Sequence, residues 1–199
     1  MDLWIASSNS GKIKEFQNLL FDLPQIKIHT QNEISGFSSP EENGDSFLAN
    51  ARIKARALRA IKNQDWVMAD DSGLEVVGLG GLPGIHSARY AGPKARDSEN
   101  IAKLLKMMQI RNVSDRSAQF KACIVALSPQ GEEFQFEGIL KGQIGTKLAG
   151  VHGFGYDPVF LPEGQTQTLA ELGPGWKNQH SHRALAFKQF LEKLKARLT

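Results

Sequence analysis

The alternation of apolar and polar positions predicts strands and helices that follow one another along the first half of the chain. Residues 3–6 form an apolar run of strand length, and the polar turn at residues 7–11 leads into a helix with one apolar side. Residues 25–29 and 66–69 are further short strands. Helices that alternate with strands are typical of an α/β protein with a central sheet.

Serine residues mark three predicted helix starts in this pattern. Ser46, Ser98 and Ser181 each precede an amphipathic run, and a serine hydroxyl can accept a hydrogen bond from the first turn of a helix. Residues 35–45, which are rich in Ser, Gly, Pro and acidic side chains, are predicted to form a loop before the helix that Ser46 caps.

The second half of the chain predicts a hairpin among loops. Residues 118–127 and 132–140 read as two strands around the turn at residues 128–131, and residues 159–161 read as a short strand. Residues 76–92 contain five glycines and one proline, so they are predicted to be mostly loop. We therefore expect a mixed sheet in a single domain spanning residues 1–199, without repeats or long linkers.

Composition narrows the class further. The 199 residues are 41% hydrophobic and 23% charged, which is typical of a globular protein. Cys123 is the single cysteine and lies in an apolar run, so we expect a buried thiol and no disulfide. The sequence shows no apolar run of membrane-spanning length and no signal-peptide pattern at its start, which favours a cytoplasmic protein without a membrane partner. Net charge is only +3, and Lys188, Lys193 and Lys195 alternate with apolar residues as on a solvated helix face, so no nucleic-acid partner is expected.

Two adjacent carboxylates, Asp70 and Asp71, follow the apolar run at residues 66–69 and enter Ser72-Gly73. Side-by-side buried acids repel, so the arrangement calls for a cation or a proton. At the end of a strand, a divalent metal bound by oxygen ligands would meet this need and would point to phosphate chemistry. The alternative is a polar turn that only reverses the chain.

A polar segment between the first strand and the first helix is a second candidate. Small residues let backbone N–H groups approach an anion, the start of a helix adds positive potential, and a lysine adds a full charge. The spacing differs from that of a P-loop, so the segment is either another kind of phosphate site or a capped helix. It consists of Ser7, Ser8, Asn9, Ser10, Gly11 and Lys12.

Three further groups carry hydrogen-bonding or stacking side chains. Glu42 lies in an acidic loop that either completes a metal site or is simply solvated. Glycines around Phe154 suit a backbone that passes close to a flat ligand, although a structural loop with an aromatic anchor is the alternative. This second group consists of Phe154, Gly155, Tyr156 and Asp157. The third group, Lys177 with His182 and Arg183, is either an ordinary helix start or a set of donors for a purine carbonyl oxygen or a phosphate.

Together these segments resemble the inosine triphosphate pyrophosphatase family. The match runs in order through residues 6–12, 42–55, 69–74, 83–90, 153–158 and 177–183. The resemblance implies an elongated mixed sheet with flanking helices and two lobes around a substrate cleft, as a homodimer. It also implies Mg²⁺-dependent hydrolysis of ITP, dITP and XTP between the α- and β-phosphates, giving a nucleoside monophosphate and pyrophosphate and so sanitising the nucleotide pool.

The resemblance also implies roles for individual residues. Residues 7–12, with Lys12, bind the triphosphate, Asp71 is the metal-linked general base beside Asp70, and Glu42 is a second metal ligand. Ser72 contacts substrate, and Lys54 and Arg89 are implied to line the cleft. Residues 154–157, together with Lys177, His182 and Arg183, surround the base and select a 6-keto purine.

The sequence departs from the family pattern at Ala49, where an acid is common, at residues 173–176 and at His180.

Two other functions compete with this interpretation. One is a pyrophosphatase for modified pyrimidine or methylated nucleotides, and the other is a nucleotide- or RNA-binding module without turnover.

Overall fold

A computed structural model describes residues 1–198 of the chain. Its strands are β1 (Asp2–Ile5), β2 (Lys27–Thr30), β3 (Trp66–Val76), β4 (Ser117–Leu127), β5 (Glu133–Ile144) and β6 (Phe160–Pro162). Its α-helices are α1 (Ser10–Leu19), α2 (Phe47–Arg59), α3 (Asp97–Ile110), α4 (Leu169–His180) and α5 (His182–Leu198). Short 3₁₀ segments include Gln31–Glu33, Val77–Leu79, Gly84–Arg89 and Asp157–Val159.

The six strands form one mixed sheet in the order β2-β1-β3-β4-β5-β6. Strand β1 is parallel to β2 and to β3, whereas β5 and β6 are antiparallel. Strands β4 and β5 are neighbours joined by residues 128–132, a connection short enough only for an antiparallel pair. The prediction of an α/β fold with a mixed sheet and flanking helices is therefore confirmed, as is the hairpin.

The chain divides into two compact units, and the division falls within β3, β4 and β5. Unit 1 comprises residues 1–71, residues 122–138 and the chain from Arg183 onward. In unit 1, alternate residues of β1 contact different core clusters: Ile5 packs with Phe16 and Phe187, while Trp4 packs with Ala51. Because the side chains of a strand alternate between its two faces, β1 is buried on both sides. Helices α1 and α5 supply one cluster and α2 the other.

Unit 2 comprises residues 72–121 and 139–182 and has a core of its own. Leu74 of β3, Leu104 of α3, Phe120 of β4 and Phe160 of β6 meet in this core, and Leu169 of α4 joins them. The apolar stripe predicted for the third helix is confirmed, because Ile101, Leu104 and Met108 are all buried.

Two sequence predictions differ from the structure, and one helix was not predicted. Ser72-Gly73 does not form a turn, because β3 continues through Asp70 and Asp71 as far as Val76. The cap of α3 is Arg96 rather than Ser98, and Glu99 accepts a hydrogen bond from the Arg96 backbone N–H at 2.7 Å. The sequence pattern did not predict helix α4, and Thr168 caps its start by accepting a hydrogen bond from the Glu171 N–H. No helix among residues 1–198 has the length and apolar character needed to cross a membrane.

Candidate active site

The adjacent carboxylates of β3 have different partners. Asp70 and Asp71 are both buried within unit 1, and consecutive side chains of a strand point to opposite faces. An Asp70 oxygen lies 2.8 Å from Lys12 Nζ, whereas Asp71 Oδ1 accepts a hydrogen bond from Lys54 Nζ at 3.1 Å. The strand therefore resolves the repulsion of two neighbouring acids by giving each its own lysine.

Asp70 is the centre of a buried network of ion pairs. Its Oδ2 atom contacts Lys12 Nζ and also accepts a hydrogen bond from Arg183 Nε at 3.2 Å. Arg183 in turn donates through its terminal nitrogen to Glu15 of α1. Burial alone would raise the pKa of Asp70, but the charges of Lys12 and Arg183 outweigh burial and hold that pKa well below its ordinary value.

Asp71 shares its lysine with the acidic loop. Lys54 Nζ of α2 lies 2.9 Å from Glu42 Oε1 as well as 3.1 Å from Asp71 Oδ1, so one ammonium bridges both carboxylates. Burial raises the pKa of Asp71 above its ordinary value, although Lys54 opposes this shift. The loop is positioned by Asn50, whose side-chain oxygen accepts a hydrogen bond from Gly44 N–H at 2.8 Å.

The segment before α1 is ordered as a helix cap. Asn9 Oδ1 accepts a hydrogen bond from Lys12 N–H at 3.0 Å, and Ser7 Oγ accepts one from Asn9 N–H at 3.2 Å. The backbone N–H groups of Ser10 and Gly11 begin the helix, where amides have no acceptor within the helix. The capped-helix alternative is therefore confirmed, and anion binding at this helix start stays a prediction.

In unit 2, Asp157 organises the turn that carries Phe154. Asp157 Oδ2 accepts a hydrogen bond from Phe154 N–H at 3.0 Å and pairs with Lys177 Nζ at 2.6 Å. Lys177 Nζ also lies 4.8 Å from the centre of the Phe154 ring. A Cβ at Gly153 would lie 2.0 Å from the same Asp157 oxygen, so only glycine fits there. The structure thus brings the predicted Phe154, Asp157 and Lys177 together.

Tyr156 is an anchor of the same turn. Its side chain is buried, and its hydroxyl donates a hydrogen bond to the backbone oxygen of Ser87 at 2.9 Å. Burial raises the pKa of this hydroxyl, so it stays protonated and remains a donor. Gly155 N–H donates to Asp97 of α3 at 2.6 Å. Sequence reasoning missed these two contacts: Ser87 lies in the matching segment 83–90 but was given no role, and Asp97 lies in no motif.

The remaining predicted residues have defined positions. His182, the first residue of α5, is buried in unit 2, and its ring stacks on Phe120 with a 4.8 Å centroid distance. Ser72 is half-buried in β3 and also belongs to unit 2. Arg89 ends the 3₁₀ segment Gly84–Arg89. Arg183 follows His182 but belongs to unit 1, where Asp70 and Glu15 are its partners.

Helix α4 places Lys177 by means of a kink. Gly173 has φ 76° and ψ −177°, which is not helical, and Pro174 follows it. Such a conformation is available to glycine and strained for other residues. The unusual residues 173–176 therefore redirect the helix before Lys177, rather than replacing it with a loop.

The fold and the site define an α/β protein with buried lysine–carboxylate pairs beside a capped helix start, and comparisons with known proteins identify its family. The Ham1 family matches residues 3–193, and the chain belongs to this family. A dITP/XTP pyrophosphatase of Bdellovibrio bacteriovorus is 58% identical over 194 residues, covering 98% of each chain. Another from Oceanobacillus iheyensis is 44% identical over 192 residues, covering 95% of each.

Solved structures agree with this assignment. A HAM1 protein from Coxiella burnetii has a TM-score of 0.87 and 39% identity, with 98% of this chain and 99% of that one covered. The Staphylococcus aureus Ham1 protein has a TM-score of 0.86 and 39% identity, with 99% and 100% covered. The predicted family resemblance is confirmed, and with it the prediction that the chain is an enzyme, a nucleoside triphosphate pyrophosphatase.

Proposed function

We propose that the protein hydrolyses the deaminated purine nucleotides ITP, dITP and XTP between the α- and β-phosphates, releasing a nucleoside monophosphate and pyrophosphate. The relative that is 58% identical bears the name dITP/XTP pyrophosphatase, which supports this substrate class. The structural observation that carries the proposal is the single ammonium of Lys54 held between the carboxylates of Asp71 and Glu42. Carboxylates already gathered around a cation suit Mg²⁺ and phosphate chemistry.

Asp71 and Glu42 fit a divalent metal by their chemistry. Both are carboxylates, which are the oxygen donors that Mg²⁺ prefers, and Asp71 Oδ2 has no hydrogen-bond partner among the described residues. Within those residues, no group of three or more His, Cys, Asp and Glu side chains is arranged to hold a metal alone. Mg²⁺ is commonly bound by one or two carboxylates plus substrate phosphates, so two protein ligands suffice. Bound there, Mg²⁺ would withdraw charge from the phosphates.

Asp71 is the proposed general base. Burial raises the pKa of its carboxyl, which brings it closer to the pKa of an efficient base at neutral pH. The hydrogen bond from Lys54 to Oδ1 orients the side chain. Each carboxylate oxygen has two lone pairs, so Oδ2 could both meet the metal and accept a hydrogen bond from a water molecule. Transfer of the water proton to Asp71 would generate the nucleophile as it attacks phosphorus.

Residues 7–12 are proposed to bind the triphosphate. The first amides of α1 and the ammonium of Lys12 all favour anions, and they lie in the same unit as Asp71. We expect the side chains of Ser8 and Ser10, both exposed, to add hydroxyl donors, whereas Asn9 acts through its cap.

Base recognition is assigned to residues of unit 2. Phe154 offers a ring for stacking, and Lys177 and His182 offer donors for a 6-keto oxygen. Tyr156 and Asp157 hold this turn in place through Ser87 and Lys177. An adenine would bring a 6-amino donor to these donors and leave them unpaired, so it would be rejected. The reaction would thereby remove deaminated nucleotides from the nucleotide pool.

A substrate panel tests this function. Purified protein with Mg²⁺ should release pyrophosphate from ITP, dITP and XTP far faster than from ATP, GTP or modified and methylated nucleotides. Orthophosphate release, or no turnover of ITP, would refute it. If the protein instead binds RNA without turnover, and the logarithm of its affinity falls against the logarithm of salt concentration with a slope of roughly one per phosphate contact, the nucleotide- or RNA-binding module is favoured.

The homodimer and the cytoplasmic location stay predictions. Sedimentation velocity tests the homodimer.

A further inference from the structure

Arg183 is held in a position that suits the phosphate half of the reaction. Its side chain is 2% exposed, and its nitrogens reach two carboxylates on different elements, Asp70 of β3 and Glu15 of α1. Glu15 lies three residues after Lys12 on α1. A planar guanidinium can serve two carboxylates at once, which a lysine ammonium on a flexible stem does less well.

The charges of this cluster explain what Arg183 does for Lys12. One oxygen of Asp70 contacts both Lys12 Nζ, at 2.8 Å, and Arg183 Nε, at 3.2 Å. Lys12 and Arg183 together balance the two carboxylates, Asp70 and Glu15. Without Arg183, the remaining three groups would carry a net negative charge, which would oppose an incoming phosphate.

We propose that Arg183 is a positioning residue for the triphosphate: it compensates Asp70 and clamps α1 through Glu15, so that Lys12 stays fixed and available to phosphate. This inference rests on the proposed function, because it assigns Arg183 a task within the same reaction. It differs from the role of base-edge donor that the sequence suggests for Arg183, which would require the guanidinium to read the purine.

Binding of inorganic pyrophosphate separates the two roles, because pyrophosphate has no base. Calorimetric titration of pyrophosphate into the full chain, at one fixed Mg²⁺ concentration, should show a dissociation constant about tenfold or more higher for Arg183→Gln than for the unmodified protein. The ratio of kcat/KM for ITP over ATP should be unchanged in the same variant. The opposite result, intact pyrophosphate affinity with lost discrimination against ATP, would overturn the proposal.

Arg183→Lys provides a milder variant that keeps the charge of the cluster but loses the planar guanidinium that reaches both Asp70 and Glu15. It should raise the pyrophosphate dissociation constant in the same direction by a smaller factor, and it decides the matter if Arg183→Gln does not fold. An unchanged dissociation constant in Arg183→Lys would contradict the clamp.

Glu133→Gln is the matched control in unit 1. Glu133 pairs with Arg52 at 2.8 Å and with Arg56 at 3.0 Å, so its ion pairs do not involve Lys12 or Arg183. Pyrophosphate affinity should be unaffected in this variant, and a loss equal to that of Arg183→Gln would show a general structural effect and overturn the proposal. Failure of the unmodified protein to cleave ITP would refute the proposed function, while the pyrophosphate affinities would still test Arg183.

Discussion

Asp70 and Asp71 are neighbours in sequence, yet they have different environments. Asp70 has its pKa lowered by Lys12 and Arg183 against the effect of burial, whereas burial raises the pKa of Asp71. A carboxylate with a low pKa and two cationic partners stabilises structure, while one with a raised pKa can accept a proton. The two residues should therefore respond differently to the same substitution.

Asp71→Asn should reduce kcat for ITP by about 10²- to 10⁴-fold, because the amide cannot act as a base while its oxygen can still accept from Lys54. Pyrophosphate release measures the loss, and thermal unfolding should change little. Activity within a few-fold of the unmodified protein would remove Asp71 from the role of base.

Asp70→Asn should destabilise the protein by about 3–5 kcal/mol, because it removes the buried carboxylate that Lys12 and the buried Arg183 share and leaves Arg183 with Glu15 alone. Urea unfolding at neutral pH measures this free energy. Asp71→Asn serves as the control, since Lys54 keeps Glu42 as a partner. Equal losses in the two variants would contradict the distinction.

At the scale of elements, the start of α1 shows what local sequence predicts well. A polar turn between a strand and a helix was expected at residues 7–11, and Asn9 caps the helix within it. The course of β3 was not predicted, because Asp, Ser and Gly are poor strand formers by local propensity. Partners distant in sequence, Lys54 and Lys12 among them, make charged residues acceptable within that buried strand.

The kink of α4 can be tested with two glycines of the same helix. Gly173→Ala should cost about 1–3 kcal/mol of stability, because φ 76° with ψ −177° is strained for any side chain. Gly175→Ala meets no atom within 4 Å and should be neutral or stabilising by up to about 1 kcal/mol. Chemical denaturation of both variants compares them. A stable Gly173→Ala protein would show that the kink does not depend on glycine.

The pairing of β1 with β2 contains a pH-dependent contact. His29 lies between Glu33 and Asp2, 2.8 and 2.7 Å from them, and stacks on Trp4, with Lys27 nearby. The hydrogen bond to Glu33, and then that to Asp2, raises the pKa of His29, although burial opposes the shift.

His29→Gln should therefore lower the unfolding temperature at about pH 6 and have little effect at about pH 9. A raised histidine pKa stabilises the fold fully below the unfolded value of about 6.5, and this contribution is lost as pH rises through the folded pKa. Differential scanning calorimetry across this range measures the difference. A deficit that does not vary with pH would show that stacking on Trp4, rather than charge, is what the histidine contributes.

At the scale of the whole molecule, a ligand that binds only the folded chain should stabilise it. A non-hydrolysable ITP analogue at 100 times its dissociation constant should add about 2.7 kcal/mol to the free energy of unfolding. The matching adenosine analogue at the same concentration is the control and should add much less. Equal stabilisation by both would argue against selection of a 6-keto purine.

The sequence by itself determined the α/β class, most helix and strand positions and the family, because periodic apolar patterns and ordered motifs are local signals. It also named the candidate site residues, whose roles stay predictions. Only the tertiary structure decided which charges meet: Lys12 and Arg183 at Asp70, Lys54 at Asp71 and Glu42, and Lys177 at Asp157. Ion pairs between residues far apart in sequence depend on how strands and helices pack, and no local pattern encodes that packing.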